Sequence, residues 1–579
     1  MEAIIREAPL GQIVRYLTKN KYFQYPEEKP GFELPETWIK IMQELDAPHK
    51  PNVSGAENEG EKSEEPSSSQ GSDAISHTST LNEDPEANNQ DLEKIKSIPI
   101  TPKKTKNGAI LVDWYYTDDA ENPHNWSNLK RALIATIICL YTFVVYTTSA
   151  IYTASEAGIM AEFGVGEVVV TLGLSLYVLG YGTGPLIFSP LSEIPIIGRN
   201  PVYIITMFLF VIISIPTALV KNFPGLMVLR FLQGFFGSPC LASGGASIGD
   251  MYSFNALPYA MMAWVAAAYC GPALGPLLSG FAVPVEGWRW SLYESIWASA
   301  PVFIVMLIFL PETSTPTILL RRAQRLRKIY NEKRFMSQSE IDQQHMKVSD
   351  IVVDALIKPM EITIKDPAVL FVQIYTAIIY GIYYSFFEVF PLVYPVDYGM
   401  NLGQVGLVFL CIMVSCIIGV GGYWAYLYYW MNPRIARLGW PVQESRLLPA
   451  LPTSFGPTIG LFLFAWTARA SIHWIAPTIG ITIYGATVFV VMQCIFVYIP
   501  LSYPKYAASL FAANDFFRSA LACGSVLFAH PLFGNLGVAK GTSLLGGLSV
   551  IGIIGIWLLY FYGAKLRSMS KFAVSEEEY

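Results

Sequence analysis

Four places in this sequence set ionisable or amide side chains inside long apolar runs, where a polar group costs several kcal/mol unless it is paired or wetted. Arg230 sits in Leu229-Arg230-Phe231-Leu232-Gln233-Gly234 with no acidic residue within one helical turn, so it needs a backbone carbonyl, a water or a partner on another element. Glu388 lies in Phe386-Phe387-Glu388-Val389-Phe390-Pro391, and Gln493 stands alone in a third run. Asn514, Asp515 and Arg518 share a fourth. There the acid and the base are three positions apart and can neutralise each other on one helix face. The chemistry open to such a set is protonation of a buried acid, tuned by a nearby guanidinium, with Glu388 and Asp515 equally eligible as the acid.

The elements that must hold these groups are membrane helices. Hydrophobic residues make up 53% of the chain and charged residues 15%, against roughly a quarter charged in a soluble domain. A spanning helix needs roughly 20 predominantly apolar residues. Such runs fall at 131–153, 168–190, 201–220, 224–248, 258–283 and 289–310, then at 369–393, 403–428, 447–467, 473–499, 506–530 and 543–563. The predicted fold is all-α and polytopic. It divides into a region 1–128, a six-helix bundle over 129–310, a central polar loop 311–368, a second six-helix bundle over 369–563 and a tail 564–579.

Lysine and arginine favour the cytoplasmic loops. Lys130, Arg131, Arg199, the basic run 321–328, Arg434, Arg437, Arg446, Lys505, Lys565, Arg567 and Lys571 would then be inside, which places both termini in the cytoplasm. Trp424, Tyr426, Tyr428, Tyr429 and Trp430 cluster where the eighth span leaves the bilayer and read as interfacial anchors.

The first 128 residues contain no apolar run of signal-peptide or spanning length. Leu10, Ile13, Val14 and Leu17 recur at helical spacing beside Arg15, Lys19 and Lys21, as in a short amphipathic helix lying on the membrane surface or on the bundle. Residues 51–95 are rich in Ser, Asn, Glu and Asp and are expected to be disordered. This segment supplies much of the net charge of -6.

All seven cysteines lie inside predicted spans without a CxxC pair or a histidine at ligand spacing, so no metal site is expected. There is no basic face interleaved with aromatics for nucleic acid. HExxH and P-loop patterns are absent and no acid pair stands at plausible spacing, which argues against an enzyme and against an ATP-driven pump.

One fragment constrains packing. Gly271-Pro272-Ala273-Leu274-Gly275-Pro276 must bend its helix, because proline removes a backbone donor, and must approach a neighbour closely, because glycine has no side chain. With Arg230-x-x-Gln233-Gly234, it resembles the major facilitator superfamily, and specifically its twelve-span fungal drug:proton antiporters. The likeness extends to Asn122-Pro123-His124-Asn125-Trp126-Ser127, Leu310-Pro311-Glu312-Thr313, Arg322-Ala323-Gln324-Arg325-Leu326-Arg327, and the N-terminal Lys21-Tyr22-Phe23 and Pro26-Glu27-Glu28.

The resemblance implies two six-helix bundles related by a pseudo-two-fold axis, with Arg230 in proton transfer and Gly271, Pro272 and Gly275 as the antiporter motif. It implies a gating loop, here Glu193, Gly198 and Arg199. That loop departs from the family's G-x-x-x-D-R-x-G-R, with Glu for Asp, no following Arg and two extra residues before Gly198-Arg199.

The expected cycle is alternating access about a midplane cavity. Its energy source would be the proton gradient, with no cofactor, and its partners would be small hydrophobic substrates, protons and the lipid bilayer. A monomer in the plasma membrane is expected to suffice. Candidate cargo contacts are Tyr380 and Tyr384, one turn apart and on a face with Glu388, together with Gln493, Phe511, Asn514 and Phe517. Phe516 is a further aromatic candidate. Aromatic stripes also face lipid. Export of one secondary metabolite, or import of a nutrient or polyamine, would use the same architecture.

Overall fold

The computed structural model describes residues 2–46, 97–105, 108–253, 255–343, 357, 360–439, 442–503, 507–570 and 573. The acidic stretch 51–95 lies outside them.

Among the described residues, ten helical stretches are long and apolar enough to cross a membrane. The longer helices are α1 (Pro9–Leu17), α2 (Glu36–Asp46), α3 (Asn128–Ala150), α4 (Leu172–Glu193), α5 (Arg199–Leu219), α6 (Phe223–Gly237), α7 (Pro239–Gly249), α8 (Leu257–Glu286) and α9 (Trp290–Phe309), followed by α10 (Thr315–Tyr330), α11 (Pro367–Tyr398), α12 (Leu410–Tyr426), α13 (Gly456–Thr467), α14 (Ile475–Ser502) and α15 (Ala507–Met569). Gly537 takes φ 75° and ψ 160° inside α15, so that stretch is two helices meeting at a sharp turn. Glycine reaches this left-handed conformation without steric cost. The α6–α7 pair is one rod interrupted at Ser238 and resumed by Pro239, a residue suited to a first helical turn.

The two halves repeat each other's pairing. In the first, α3 packs on α8, α4 on α6, and α5 on α9. In the second, α11 packs on α15, α12 on α14, and α13 on α15, the last around the Thr458–Ser549 hydrogen bond in the second arm of α15. In each half the first helix meets the fifth, the second the fourth and the third the sixth. The contacts between halves obey the same symmetry, α4 against α15 and α8 against the 402–408 helix and α12. This is the internal repeat on which many transporters are built.

Long-range packing joins the N-terminal region to the segment after α9 in a small cap. Strands β1 (Ile110–Leu111) and β2 (Phe335–Met336) pair in parallel, and Trp38 of α2 is buried with Tyr115, Leu326 of α10 and Phe335. Arg322 grips Asp119 with two hydrogen bonds of 2.7 and 3.1 Å, and Arg325 reaches Glu27 at 2.6 Å and Glu121 at 3.1 Å. Burial opposes ionisation of Asp119, yet the Arg322 guanidinium holds its carboxyl below the usual carboxylate value. Much of the polar loop read from the sequence is therefore ordered, its basic face neutralised by acids from the first 128 residues.

The amphipathic helix forms as α1 and packs on α5 and α9. Its polar side is the one turned inward. Arg15 is buried against Glu28 at 2.7 Å, while Ile13, Tyr16 and Leu17 are exposed. Trp424, Tyr428, Tyr429 and Trp430 are exposed as well, beside a π-helical turn at Leu427–Met431. Outward rings at a helix end suit the headgroup level of a bilayer.

Candidate functional site

Backbone geometry meets the need of Arg230 for partners. Its side chain is fully buried. Nε donates to Gly173 O at 3.0 Å, Nη1 to Thr148 O at 3.1 Å and to Gln233 Oε1 at 3.1 Å, and Nη2 to Ser149 O at 3.2 Å. The rigid fork of a guanidinium suits contacts to two helices at once. The rings of Tyr177 and Tyr152 lie 4.4 and 4.9 Å from its centre and supply cation–π attraction. Gln233 donates onward to Ser214 Oγ at 2.7 Å. No carboxylate lies within 4.0 Å of Arg230 among the described residues, so its charge is balanced by dipoles and rings alone.

Glu388, on α11, is buried, and its Oε1 has no hydrogen-bond partner. The second eligible acid behaves differently. Asp515 is hydrogen-bonded to Arg518 within α15, the self-neutralising pair that three-residue spacing allows. Arg518 also faces the ring of Tyr380 at 4.8 Å.

Between the halves lies a small cavity of about 40 Å³, lined by Tyr146, Leu241, Trp264, Tyr269, Tyr380, Tyr383, Met492, Phe496 and Arg518 among others. It is apolar and aromatic around one guanidinium. Tyr380 is the predicted cargo contact that reaches this lining. Tyr384 sits one turn away, where its hydroxyl accepts from Tyr181 at 2.9 Å. Tyr181 and Tyr380 hydroxyls are 2.5 Å apart.

Phe511 and Asn514 border a smaller adjoining space with Gln373, and Asn514 Nδ2 donates to Gln373 Oε1 at 2.6 Å and Thr376 Oγ1 at 2.7 Å. Asn514 thus ties α15 to α11. Gln493 is fully buried on α14, with neither amide atom hydrogen-bonded among the described residues. Phe516 and Phe517 pack on each other at 5.7 Å and are absent from the lining of both spaces.

The Gly-Pro segment packs as the sequence demands. A side-chain carbon at Gly271 would lie 2.7 Å from Phe143 O, and one at Gly275 2.8 Å from Ile151 N, so both glycines let α8 sit against the backbone of α3. The opposite face of α8 seals the halves. Gly280 approaches Leu402 O, and Gly406 approaches Pro276 O. Symmetry repeats the seal where Ser175 Oγ of α4 donates to Cys523 O at 3.3 Å.

In the gating loop, Gly198 takes φ 80° and opens α5. Arg199 pairs with Asp250 at 2.8 Å, and its backbone N–H, like that of Asn200, donates to Glu312. A carboxylate at a helix N-terminus satisfies donors that lack intrahelical partners. Burial pushes the Asp250 carboxyl up to about 6 against the pull of Arg199. Glu193 is exposed and makes no hydrogen bond or ion pair among the described residues. Asp250 and Glu312, rather than Glu193, hold Arg199. Glu312 was visible only as part of a motif, and Asp250 carried no local signal.

Comparison with known proteins agrees with this architecture. Residues 137–527 match the Major Facilitator Superfamily. The chain is 48% identical to the MFS-type transporter pyvG of Aspergillus violaceofuscus, over 82% of this chain and 87% of that one. It is 35% identical to the cycloheximide resistance protein of Candida maltosa, over 99% of this chain and 100% of that one, and 39% identical to fluconazole resistance protein 1 of Saccharomyces cerevisiae, over 81% and 86%. The solved structure of the proton:xylose symporter XylE superimposes with a TM-score of 0.55 over 76% of this chain and 96% of that one, at 13% identity. The protein is a multi-pass membrane transporter of the Major Facilitator Superfamily, similar to fungal drug-resistance transporters.

Proposed function

We propose that the protein exports small hydrophobic compounds, azole-type antifungals among them, across the plasma membrane in exchange for protons. The observation that carries this reading is Arg230, a guanidinium fully buried among carbonyls and rings and without a carboxylate partner among the described residues, beside the aromatic seam between the halves. A charge so placed destabilises other positive charge nearby, which is what a site alternating between a proton and a cargo requires. The cavity supplies apolar contact for the cargo, and Arg518 of the Asp515–Arg518 pair is its one cationic side chain among the described lining.

The two halves would rock about this site, with the termini and cap in the cytoplasm and the glycine-sealed end of α8 outside. Inward proton flow yields about 2.3 kcal/mol per 100 mV of membrane potential before any pH difference. No cofactor or second copy is needed for this cycle. The drug-resistance names of two relatives support the cargo class.

The test is a susceptibility panel in an efflux-deficient yeast expressing the full chain. Raised tolerance to several chemically unrelated hydrophobic compounds, azoles included, is expected. Tolerance to a single compound would instead identify an exporter dedicated to one metabolite, and heightened sensitivity would identify an importer.

A further inference from the structure

A second hollow lies in the cap, between α1 with the turn that follows it and α10. At about 240 Å³ it is larger than the cavity at the seam. Arg15 and Asn20 line one side, and Arg321, Gln324, Arg325 and Lys328 line the other. The spacing of the last four sets them on one face of α10. Glu28 is the one acid in the described lining, and Arg15 binds both its carboxylate oxygens, at 2.7 and 2.8 Å. Arg325 is engaged by Glu27 and Glu121. The Tyr25 ring lies 4.5 Å from the centre of the Arg15 guanidinium and 3.7 Å from that of Arg325, so both are held in place before anything binds.

Two cations of this wall remain without close partners. Lys328 is exposed and makes no hydrogen bond or ion pair among the described residues. Arg321 meets only Glu312 there, at a loose 3.8 Å. They stand seven positions apart, about 10 Å along the helix axis, a separation that suits two phosphates on one ring better than a single phosphate. The amides of Asn20 and Gln324 share the wall and can bond the hydroxyls of such a ring. The neighbouring side of α1 is apolar and open. Ile13, Tyr16 and Leu17 are 49, 84 and 73% exposed, next around the helix from Arg15. α1 itself lies against α5 and α9, whose outward surfaces carry Ile205, Phe208, Trp297 and Ile304. In a protein that spans lipid, an exposed apolar ridge beside a basic hollow sets that hollow at the level of the headgroups.

We propose that this hollow binds the headgroup of an anionic lipid carrying two phosphates on an inositol ring, with its acyl chains running past Ile13, Tyr16 and Leu17 into the facing leaflet. This rests on the cytoplasmic placement of the cap given above and is independent of which cargo moves and what drives it. Arg321 and Lys328 take the phosphates, and the two amides take ring hydroxyls. Glu28 faces the same hollow with its charge offset by Arg15. Because α1 and α10 share one ligand, the lipid fastens the N-terminal region to the segment after α9 and fastens both to the membrane.

The test is binding of fluorescent phosphatidylinositol bisphosphate, dispersed in detergent micelles, to the purified full-length chain, read as anisotropy. Wild type is compared with Arg321→Gln/Lys328→Gln and with Lys103→Gln/Lys333→Gln, which removes two exposed cap cations outside the hollow. The first variant is expected to bind about thirtyfold more weakly, from the usual gain per basic residue at an anionic surface, and the second as wild type does. Ile13→Ser/Leu17→Ser should weaken binding of the lipid and leave that of soluble inositol trisphosphate unchanged. Equal affinity of wild type and the Arg321→Gln/Lys328→Gln variant would overturn the site, as would phosphatidylserine matching the bisphosphate at equal total charge. Soluble inositol trisphosphate binding as tightly as the lipid would make the ligand a solute, and displacement of the lipid by polyglutamate at equal charge would make it an acidic protein segment. Either result overturns the lipid assignment. All of these outcomes leave the export reading standing, since no transport is measured.

Discussion

Arg230→Ala is expected to reach the membrane in normal amount and to export no hydrophobic compound above background. The guanidinium binds carbonyls of α3 and α4 and the amide of its own helix at once, so its loss uncouples three elements that meet at one point. A hydrogen bond to a charged group contributes about 1.5–3 kcal/mol and 1.4 kcal/mol is a factor of ten, so losing even one such bond from the transport cycle costs about tenfold or more. The rods themselves are held by apolar burial and glycine contacts elsewhere, so the fold should survive. Arg230→Lys should fail too, because a single ammonium cannot span Gly173 O and Ser149 O together. Retention of a fluorescent compound in cells, with surface labelling of the protein, checks both variants. Normal efflux from the alanine variant would remove Arg230 from the mechanism.

Gly275→Val is expected to lose efflux and to lower the thermal midpoint of the purified protein. The added carbon would lie 2.8 Å from Ile151 N and 3.0 Å from Thr147 O, both backbone atoms that cannot rotate away. Overpacking of this kind costs about 1–3 kcal/mol. The displaced α8 would also carry Pro276 and Gly280 off Gly406 and Leu402, so the seam between the halves opens with it. Gly421→Ala is the matched control. Nothing lies within 4 Å of a side-chain carbon there, and both efflux and midpoint should stay at wild-type values. A Gly275→Val protein that transports normally would show that close approach of α8 to α3 is dispensable.

The parts of this molecule legible in the sequence are those whose cause is local. Apolar length marked most of the spans, although 447–467 is broken into short turns before α13. Three-residue spacing marked the Asp515–Arg518 pair, and the lack of any acid near Arg230 left a carbonyl, a water or another helix as its partner, of which the structure supplies carbonyls. The Gly-Pro segment announced a close neighbour, although not that the neighbour is α3 on one face and the 402–408 helix on the other.

What escaped lies in contacts between distant residues. The first apolar run was read as ending at 153, whereas helical structure resumes through Phe163 after a single 3₁₀ turn that no local pattern marks. Asp250 is 51 positions from Arg199 and Glu312 is 113, and no periodicity reports such pairs. The cap was hidden for the same reason. Acids at 27, 119 and 121 and bases at 322 and 325 each look solvated until folding sets them together. Trp264 and Tyr269 line the cavity on a helix whose glycines and prolines dominate its sequence pattern.

Transport by the purified full-length chain in sealed vesicles, measured with and without an imposed pH difference and voltage, bears most directly on whether a buried arginine couples cargo to protons. The rate should rise several-fold with the gradient and fall back when an ionophore collapses it, since each proton carries about 2.3 kcal/mol per 100 mV. Equal rates in the two conditions would contradict the coupling and leave Arg230 a structural group.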